Sequence, residues 1–247
     1  MKKSLIFLPV GREISYHPSY DSNRHWRLSL PDRNYDVVLC PYTEFTPEPN
    51  TYDTLLPQQR GLKWKICKWF LENYDYSGYE YIAFFDDDIV TDVDSINTAL
   101  KIALDNNLKI FQLSLLAGSN SNHPITNQNP NLLYSITNFV ECMSPFYHIS
   151  VIEDFKELLN CHATWSEWSG IGWGLDCIVS DAMKTPSAII HEVTMYHKPS
   201  VSTYDRAAAE REMFYIWSHI YPKFMMERYK EEAVFVDNIK IIEVKLK

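Results

Sequence analysis

The run Tyr79-Glu80-Tyr81-Ile82-Ala83-Phe84-Phe85 passes without a spacer into Asp86-Asp87-Asp88, and this junction constrains the chain more than any other feature. Aromatic and aliphatic residues at that density favour a buried β-strand, which delivers whatever follows it to a fixed place. Three adjacent carboxylates at a strand end repel one another unless a cation or hydrogen-bond donors compensate. A divalent cation is the simplest compensation. Mg²⁺ and Mn²⁺ take hard oxygen ligands and are commonly shared between one or two carboxylates and substrate phosphates. A solvated turn with a helix-capping Asp is the plain alternative for the triplet alone, and the apolar strand before it argues against that reading. Asp94-Ser95 and a helical pattern from Ile96 to Leu104 follow, so the local order is strand, acidic loop, helix.

The rest of the chain alternates in the same way. Leu5 to Leu8, closed by Pro9 and Gly11, reads as a first buried strand emptying into a loop, and Asp36 to Cys40, closed by Pro41, as a second. Pro57 fits the first turn of a helix, with Leu62, Ile66, Trp69, Phe70 and Asn73 at helical spacing until Tyr76-Ser77-Gly78. Lys109 to Leu116 and Phe139 to Tyr147 read as strands, and Ser150 with Glu153 as a capping box for a helix ending near Asn160. Gly118 to Asn131, rich in Asn, Ser and Pro, reads as a mobile loop able to close over a ligand. Trp165 to Gly174 mixes Trp with Gly unlike any regular element, a helix starts near Leu175, and Ile189 to Tyr196 is a further strand. Ala207 to Tyr229 is helical and bent at Pro222. Alternating strands and helices predict an α/β sheet flanked by helices, and 247 residues bury a core without disulfides or structural metal.

Composition excludes some partners. A formal net charge of −9 argues against a nonspecific nucleic-acid binder. The 7 Trp and 16 Tyr suit a carbohydrate cleft, where flat rings stack on the apolar faces of sugars, and suit a Tyr-rich core equally. Five cysteines, odd in number and without CxxC spacing, fit a reducing compartment. The opening Met1-Lys2-Lys3-Ser4-Leu5-Ile6-Phe7-Leu8-Pro9-Val10 is too short in apolar residues for a signal peptide, and no stretch approaches a transmembrane span. The expectation is a soluble, cytoplasmic protein, with a peripheral seat at a membrane left open and the oligomeric state unread.

Two further groups carry chemistry. In Gly170-Ile171-Gly172-Trp173-Gly174-Leu175-Asp176 the glycines permit close backbone approach, and Asp176 stands where a helix begins, as a base or as a plain N-terminal cap. His191 and His197 lie near the end of a strand before Lys198-Pro199-Ser200; an imidazole is a good further ligand for Mn²⁺, and Lys198 can pair with phosphate. A structural role is the alternative for either histidine.

Together these features resemble glycosyltransferases of the GT-A fold, the Rossmann-like mixed sheet of nucleotide-diphospho-sugar transferases. More narrowly, they resemble a plant and bacterial family of glycosyltransferase domains long filed as a domain of unknown function. The matching residues are Gly61-Leu62-Lys63-Trp64-Lys65, Tyr79 through Asp88, Ile110-Phe111-Gln112, Phe139-Val140-Glu141-Cys142-Met143-Ser144-Pro145, Gly172-Trp173-Gly174-Leu175-Asp176 and His191 through Pro199, spanning about residues 58 to 200 in the family's order. The resemblance implies that Asp86 and Asp88 hold Mn²⁺ or Mg²⁺ with Asp87 beside them, that His197 is a third ligand with His191 in reserve, and that Asp176 is the base. It also implies that Pro9, Gly11, Arg12, Lys63, Asp86, Asp87 and Lys198 face a nucleoside diphosphate sugar, whose glycosyl group passes to a glycan or glycoconjugate hydroxyl with inversion. Leu175 stands where many such enzymes carry a second acidic residue. A nucleotidyl- or phosphotransferase and a non-catalytic sugar-binding module are the alternatives. Residues 1–205 are expected to form the catalytic domain and 206–247 a helical extension packed on it.

Overall fold

The computed structural model describes residues 4–121, 123–199, 205–234 and 239–247. Met1-Lys2-Lys3, Ser200 and the stretch 201–204 before the expected boundary lie outside the described residues.

Strand β1 (Ser4–Val10) pairs in parallel with β2 (Tyr35–Pro41). Every residue of β1 is buried because its apolar side chains alternate between two cores: Leu5 and Phe7 enter one, Ile6, Leu8 and Val10 the other. β3 (Thr54–Leu55) extends the edge beyond β2. Helix α1 (Lys63–Asn73) packs Trp64, Ile66, Cys67, Phe70 and Leu71 into the first core. β4 (Tyr81–Phe84) pairs with the other side of β1, and β5 (Ile89–Val90) follows the acidic turn. Helix α2 (Val93–Asp105) covers the second core with Ile96, Ala99, Leu100 and Ala103. After it come β6 (Ile110–Leu115), β7 (Leu132–Thr137), β8 (Phe146–His148), α3 (Ile149–Ala163), α4 (Leu175–Ala182) and β9 (Ser187–His197). The chain closes with α5 (Arg206–Tyr215), α6 (Tyr221–Tyr229) and β10 (Ile241–Leu246).

The sheet runs β10-β7-β9-β6-β8-β4-β1-β2-β3, with β5 on β9. It is mixed: β1 is parallel to β2 and β4, whereas β8 lies antiparallel between β4 and β6. This is the α/β arrangement of mixed sheet and flanking helices that the sequence predicts. No helix among the described residues is long and apolar enough to cross a membrane, and the five cysteines are free thiols.

Several local expectations give way. Pro9 does not end β1. Phe7 O faces β4 and Val10 O faces β2, so the N–H that Pro9 lacks would point to the β4 side, where pairing has stopped at Phe7. Pro57 starts no helix, because Leu56 N–H and Gln59 N–H donate to Leu39 O and Pro41 O and hold that segment extended along β2. The cap of α2 is Asp92, whose side chain accepts from Ser95 N–H at 2.7 Å. At α3 the His148 ring accepts from Ser150 N–H at 3.1 Å, while Glu153 turns to the Tyr76 hydroxyl at 2.8 Å, so no capping box forms.

Of the strand expected over 139–147, only Phe146 and Tyr147 enter one, at β8; Phe139 to Pro145 is irregular, and a longer strand, β7, lies before it. A π-helical turn, Ile216–Ile220, precedes Pro222, with Tyr221 N–H donating to Ile216 O. The segment 206–247 is not helical throughout, since β10 adds antiparallel to β7 at the sheet edge. The alternation Ile242, Val244, Leu246 against Glu243 and Lys245 is the local signal for that strand.

Candidate active site

Beyond β4 the chain stays tied to the sheet for two more residues, with Phe85 N–H donating to Phe7 O at 3.1 Å and Asp86 N–H to Met143 O at 2.8 Å. The turn then closes, and β5 pairs antiparallel with the tail of β9, setting Ile89 opposite His197. That pairing carries His197 to Asp88, with Nε2 3.4 Å from Oδ1. Asp86, Asp88 and His197 present ligand atoms that all lie within 4.8 Å of one another.

The three carboxylates have different surroundings. Asp87 turns its oxygens to the protein, accepting from Gly11 N–H at 2.9 Å, the Tyr42 hydroxyl at 2.9 Å and Arg12 Nε at 2.9 Å. Gly11 has no room for a side chain, because a Cβ there would sit 2.2 Å from the Tyr42 ring. Asp86 accepts from Lys63 Nζ at 2.7 Å, and the same ammonium donates to Cys142 O at 2.6 Å and Met143 O at 3.0 Å. An ammonium has three N–H donors, so Lys63 is fully engaged in orienting Asp86 and is not free for a donor phosphate as expected. Asp88 is buried, lies 3.7 Å from the Arg12 guanidinium, and among the described residues has no hydrogen bond to its Oδ1.

Charge compensation in the triplet therefore comes in part from Lys63, Arg12 and His197. Enclosure by the cavity pushes Asp86 above the usual carboxylate range despite its surface exposure, with Lys63 opposing. Burial does the same to Asp87, opposed by Gly11 and Arg12. Burial would also raise Asp88, but His197 and Arg12 outweigh it and hold that carboxyl low. His197 shows the mirror effect: burial would lower it, and Asp88 and Asp86 raise it. Its Nδ1 donates to Asn120 O at 3.0 Å, which turns Nε2 to Asp88. Facing a carboxylate, that nitrogen needs either a proton or a cation. Two carboxylates and an imidazole, with one buried oxygen unpartnered, fit Mn²⁺ or Mg²⁺.

His191 does not join this group. Its Nδ1 accepts from Asn129 N–H at 3.1 Å and its Nε2 meets the Ser135 hydroxyl at 3.0 Å, within a bulge where β9 changes register against β6. Burial drops it to about 4, so it is a neutral structural side chain. Lys198 is exposed and does not line the cavity; its backbone N–H reaches Asp88 O at 3.5 Å. The segment expected as a mobile loop is tied to the site, since Asn120 N–H donates to His197 O at 2.9 Å and the His123 ring packs 4.5 Å from Phe139. Asn122 lies outside the described residues.

Across the cavity, Asp176 occupies the first turn of α4, and its Oδ1 accepts from Gly174 N–H at 3.2 Å and Cys177 N–H at 3.0 Å. Burial pushes this carboxyl up to about 6, against those donors. The loop before it is pinned by Glu212 of α5, which is wholly buried. Glu212 accepts from Ser169 N–H at 2.9 Å, Gly170 N–H at 3.1 Å, Gly172 N–H at 2.8 Å and the Ser169 hydroxyl. Gly172 combines a φ of 94° with a Cβ position 2.1 Å from the Trp64 ring, which excludes any larger residue. Trp217 Nε1 donates to Gly174 O at 3.3 Å.

One cavity of about 1090 Å³ joins these parts, lined among others by Pro9, Arg12, Asp86, Asp88, Asp176 and His197. Tyr42, Glu141, Glu212 and Trp217 have no assignment from the sequence. Glu212 carried one legible sign, a carboxylate at the buried face of a helix between Ala209 and Ile216. Glu212→Ala is expected to cost roughly 3–5 kcal/mol, because it strands several buried donors at once. Urea denaturation measures it, and a loss under about 1 kcal/mol would mean that other contacts hold the loop.

The mixed α/β sheet with flanking helices is also the fold of solved structures of TarS. The structure of residues 1–349 of S. aureus TarS in complex with UDP-GlcNAc matches at a TM-score of 0.55 and 10% identity, over 94% of this chain and 68% of that one. A second structure of the same TarS fragment matches at 0.51 and 10% identity, over 92% and 73%, and one in complex with UDP at 0.50 and 12% identity, over 94% and 72%. At such identities the likeness is one of fold. No protein-family model and no curated protein matches the chain.

Proposed function

We propose that this protein transfers a glycosyl group from a nucleoside diphosphate sugar to a hydroxyl of a glycan or glycoconjugate, with inversion. The observation that carries the reading is the sharing of one cavity by the Asp86, Asp88, His197 group and by Asp176. The narrower resemblance to the plant and bacterial domain family belongs to the same proposal, as does division of the chain near residue 205.

In this reading Asp86, Asp88 and His197 hold Mn²⁺ or Mg²⁺, and the ion when bound neutralises charge on the departing diphosphate. Lys63 fixes the Asp86 oxygen through three simultaneous acceptors, and Asn120 fixes the His197 ring. Asp87 holds the β1 exit in place, so that Pro9 and the partly exposed Arg12 face the nucleotide. Asp176, oriented by Gly174 and Cys177 and poised near neutrality, takes the proton from the acceptor hydroxyl as that oxygen attacks the anomeric carbon. Trp173 and Trp217, both at the cavity wall, offer aromatic surface to an acceptor sugar.

Calorimetric titration of bare diphosphates and nucleotide sugars, with and without Mn²⁺, tests the reading, followed by an assay for released nucleoside diphosphate. Metal-dependent binding with slow release of diphosphate is expected. Glycan binding without nucleotide affinity would point instead to a sugar-binding module, and transfer of a phosphoryl or nucleotidyl group to the phosphotransferase alternative. Mn²⁺ alone is expected to raise the melting temperature of the wild type and to leave that of Asp88→Ala unchanged.

A further inference from the structure

Glu141 is a buried carboxyl that the fold leaves unsatisfied. Only 5% of its surface is exposed, and among the described residues neither side-chain oxygen has a hydrogen-bond partner. Its main chain, by contrast, is fixed from several directions. Glu141 N–H donates to Gln112 Oε1 at 2.5 Å, Lys63 holds Cys142 O, and Cys142 Sγ donates to Gly172 O at 3.1 Å. Thr126 is close enough to pull the carboxyl down slightly, the weakest of the influences on it, but its hydroxyl proton goes to His123 O at 2.8 Å and leaves none for the carboxyl. A rigid backbone thus presents an unpartnered acid at the wall of the cavity that Asp86, Asp88, Asp176 and His197 also line.

An arrangement of this kind is costly in the free protein, because a buried polar group without a partner forfeits its hydration for nothing. Folds retain such groups where a ligand supplies the missing partners. Burial pushes Glu141 up to about 8, with His197 opposing and Asp176 and Asp86 adding to it, so the acid senses both the cation-binding group and the base across the cavity. It is not one of the residues whose ligand atoms converge as a metal group. The moiety that must lie between a cation-bound diphosphate and a base is the glycosyl group in transit, and the groups it offers there are hydroxyls. A carboxyl pairs with hydroxyls in either protonation state.

We propose that Glu141 binds hydroxyl groups of the transferred sugar and so determines which sugar is accepted; the proposal rests on the glycosyl-transfer reading. Two variants test it, Glu141→Gln, which keeps the shape, and Glu141→Leu, which removes the polar oxygens. UDP, GDP and dTDP and their hexose conjugates are titrated with Mn²⁺ present, and melting temperatures are taken without ligand. Both variants are expected to melt at or above the wild-type temperature and to bind the bare diphosphate within about twofold of wild type. The gain in affinity from adding the preferred hexose should fall about tenfold or more in Glu141→Leu, and less in Glu141→Gln.

An undiminished hexose gain in Glu141→Leu overturns the proposal while leaving glycosyl transfer standing. Melting of both variants well below wild type also overturns it, because the acid would then be a structural element. Failure of the wild type to bind any of the diphosphates or conjugates sinks the glycosyl-transfer reading and this proposal with it.

Discussion

Replacement of Asp88 by Ala is expected to lower metal-dependent turnover at least about a hundredfold, since even loss of a residue that merely supports a metal ligand costs about 10–100-fold. Asp88 is the member of the triplet least satisfied by protein, with a buried oxygen facing the His197 ring and no donor in line. Asp87→Ala should act differently. It removes the acceptor for Gly11, Tyr42 and Arg12, and so disturbs the β1 exit while leaving the Asp86, Asp88, His197 group whole. The measurement is turnover against Mn²⁺ concentration for each variant. Wild-type turnover by Asp88→Ala would remove the cation from the proposed mechanism.

Asp176→Asn should lower kcat by about 10²–10⁴ and leave donor affinity within a fewfold, because a general base contributes to the chemical step and an amide cannot take the proton. The carboxyl and its amide are nearly isosteric, and Gly174 and Cys177 can still donate to the side-chain oxygen. The pH profile gives a second, independent reading. A carboxyl raised to about 6 is protonated below that value, so wild-type kcat should fall with falling pH, tenfold per unit, below about pH 6. The residual activity of Asp176→Asn should lack that limb. Unchanged turnover, or a limb that persists in the variant, would transfer the base role to another residue.

How far the site can be read from sequence differs from residue to residue. The strand into Asp86-Asp87-Asp88 is legible because the signal is local: a saturated apolar run must be buried, and the acids follow it without a spacer. The same holds for Asp176 at a helix entrance after alternating glycines. Lys63 illustrates the limit. Its pairing with Asp86 depends on where α1 starts, and extended backbone bonding along β2 delays that start past Pro57. His191 and His197 look equivalent in sequence, six residues apart on one strand. A bulge in β9 sends the first into the sheet, to Ser135, and the pairing of β5 sends the second to Asp88.

The amino-acid order alone determined the α/β class, the acidic strand end and the helix entrance at Asp176, because hydrophobic periodicity and glycine placement act over a few neighbours. Tertiary structure decided which carboxylates are free and which are engaged, which histidine meets them, that β10 extends the sheet beyond β7, and that Glu141 is left without a partner among the described residues. Each of these depends on contacts between residues far apart in the chain, such as Gly11 with Asp87, Lys63 with Cys142 and Gly172 with Glu212. Which polar group satisfies which across the molecule is a property of the packed chain, and no local pattern encodes it.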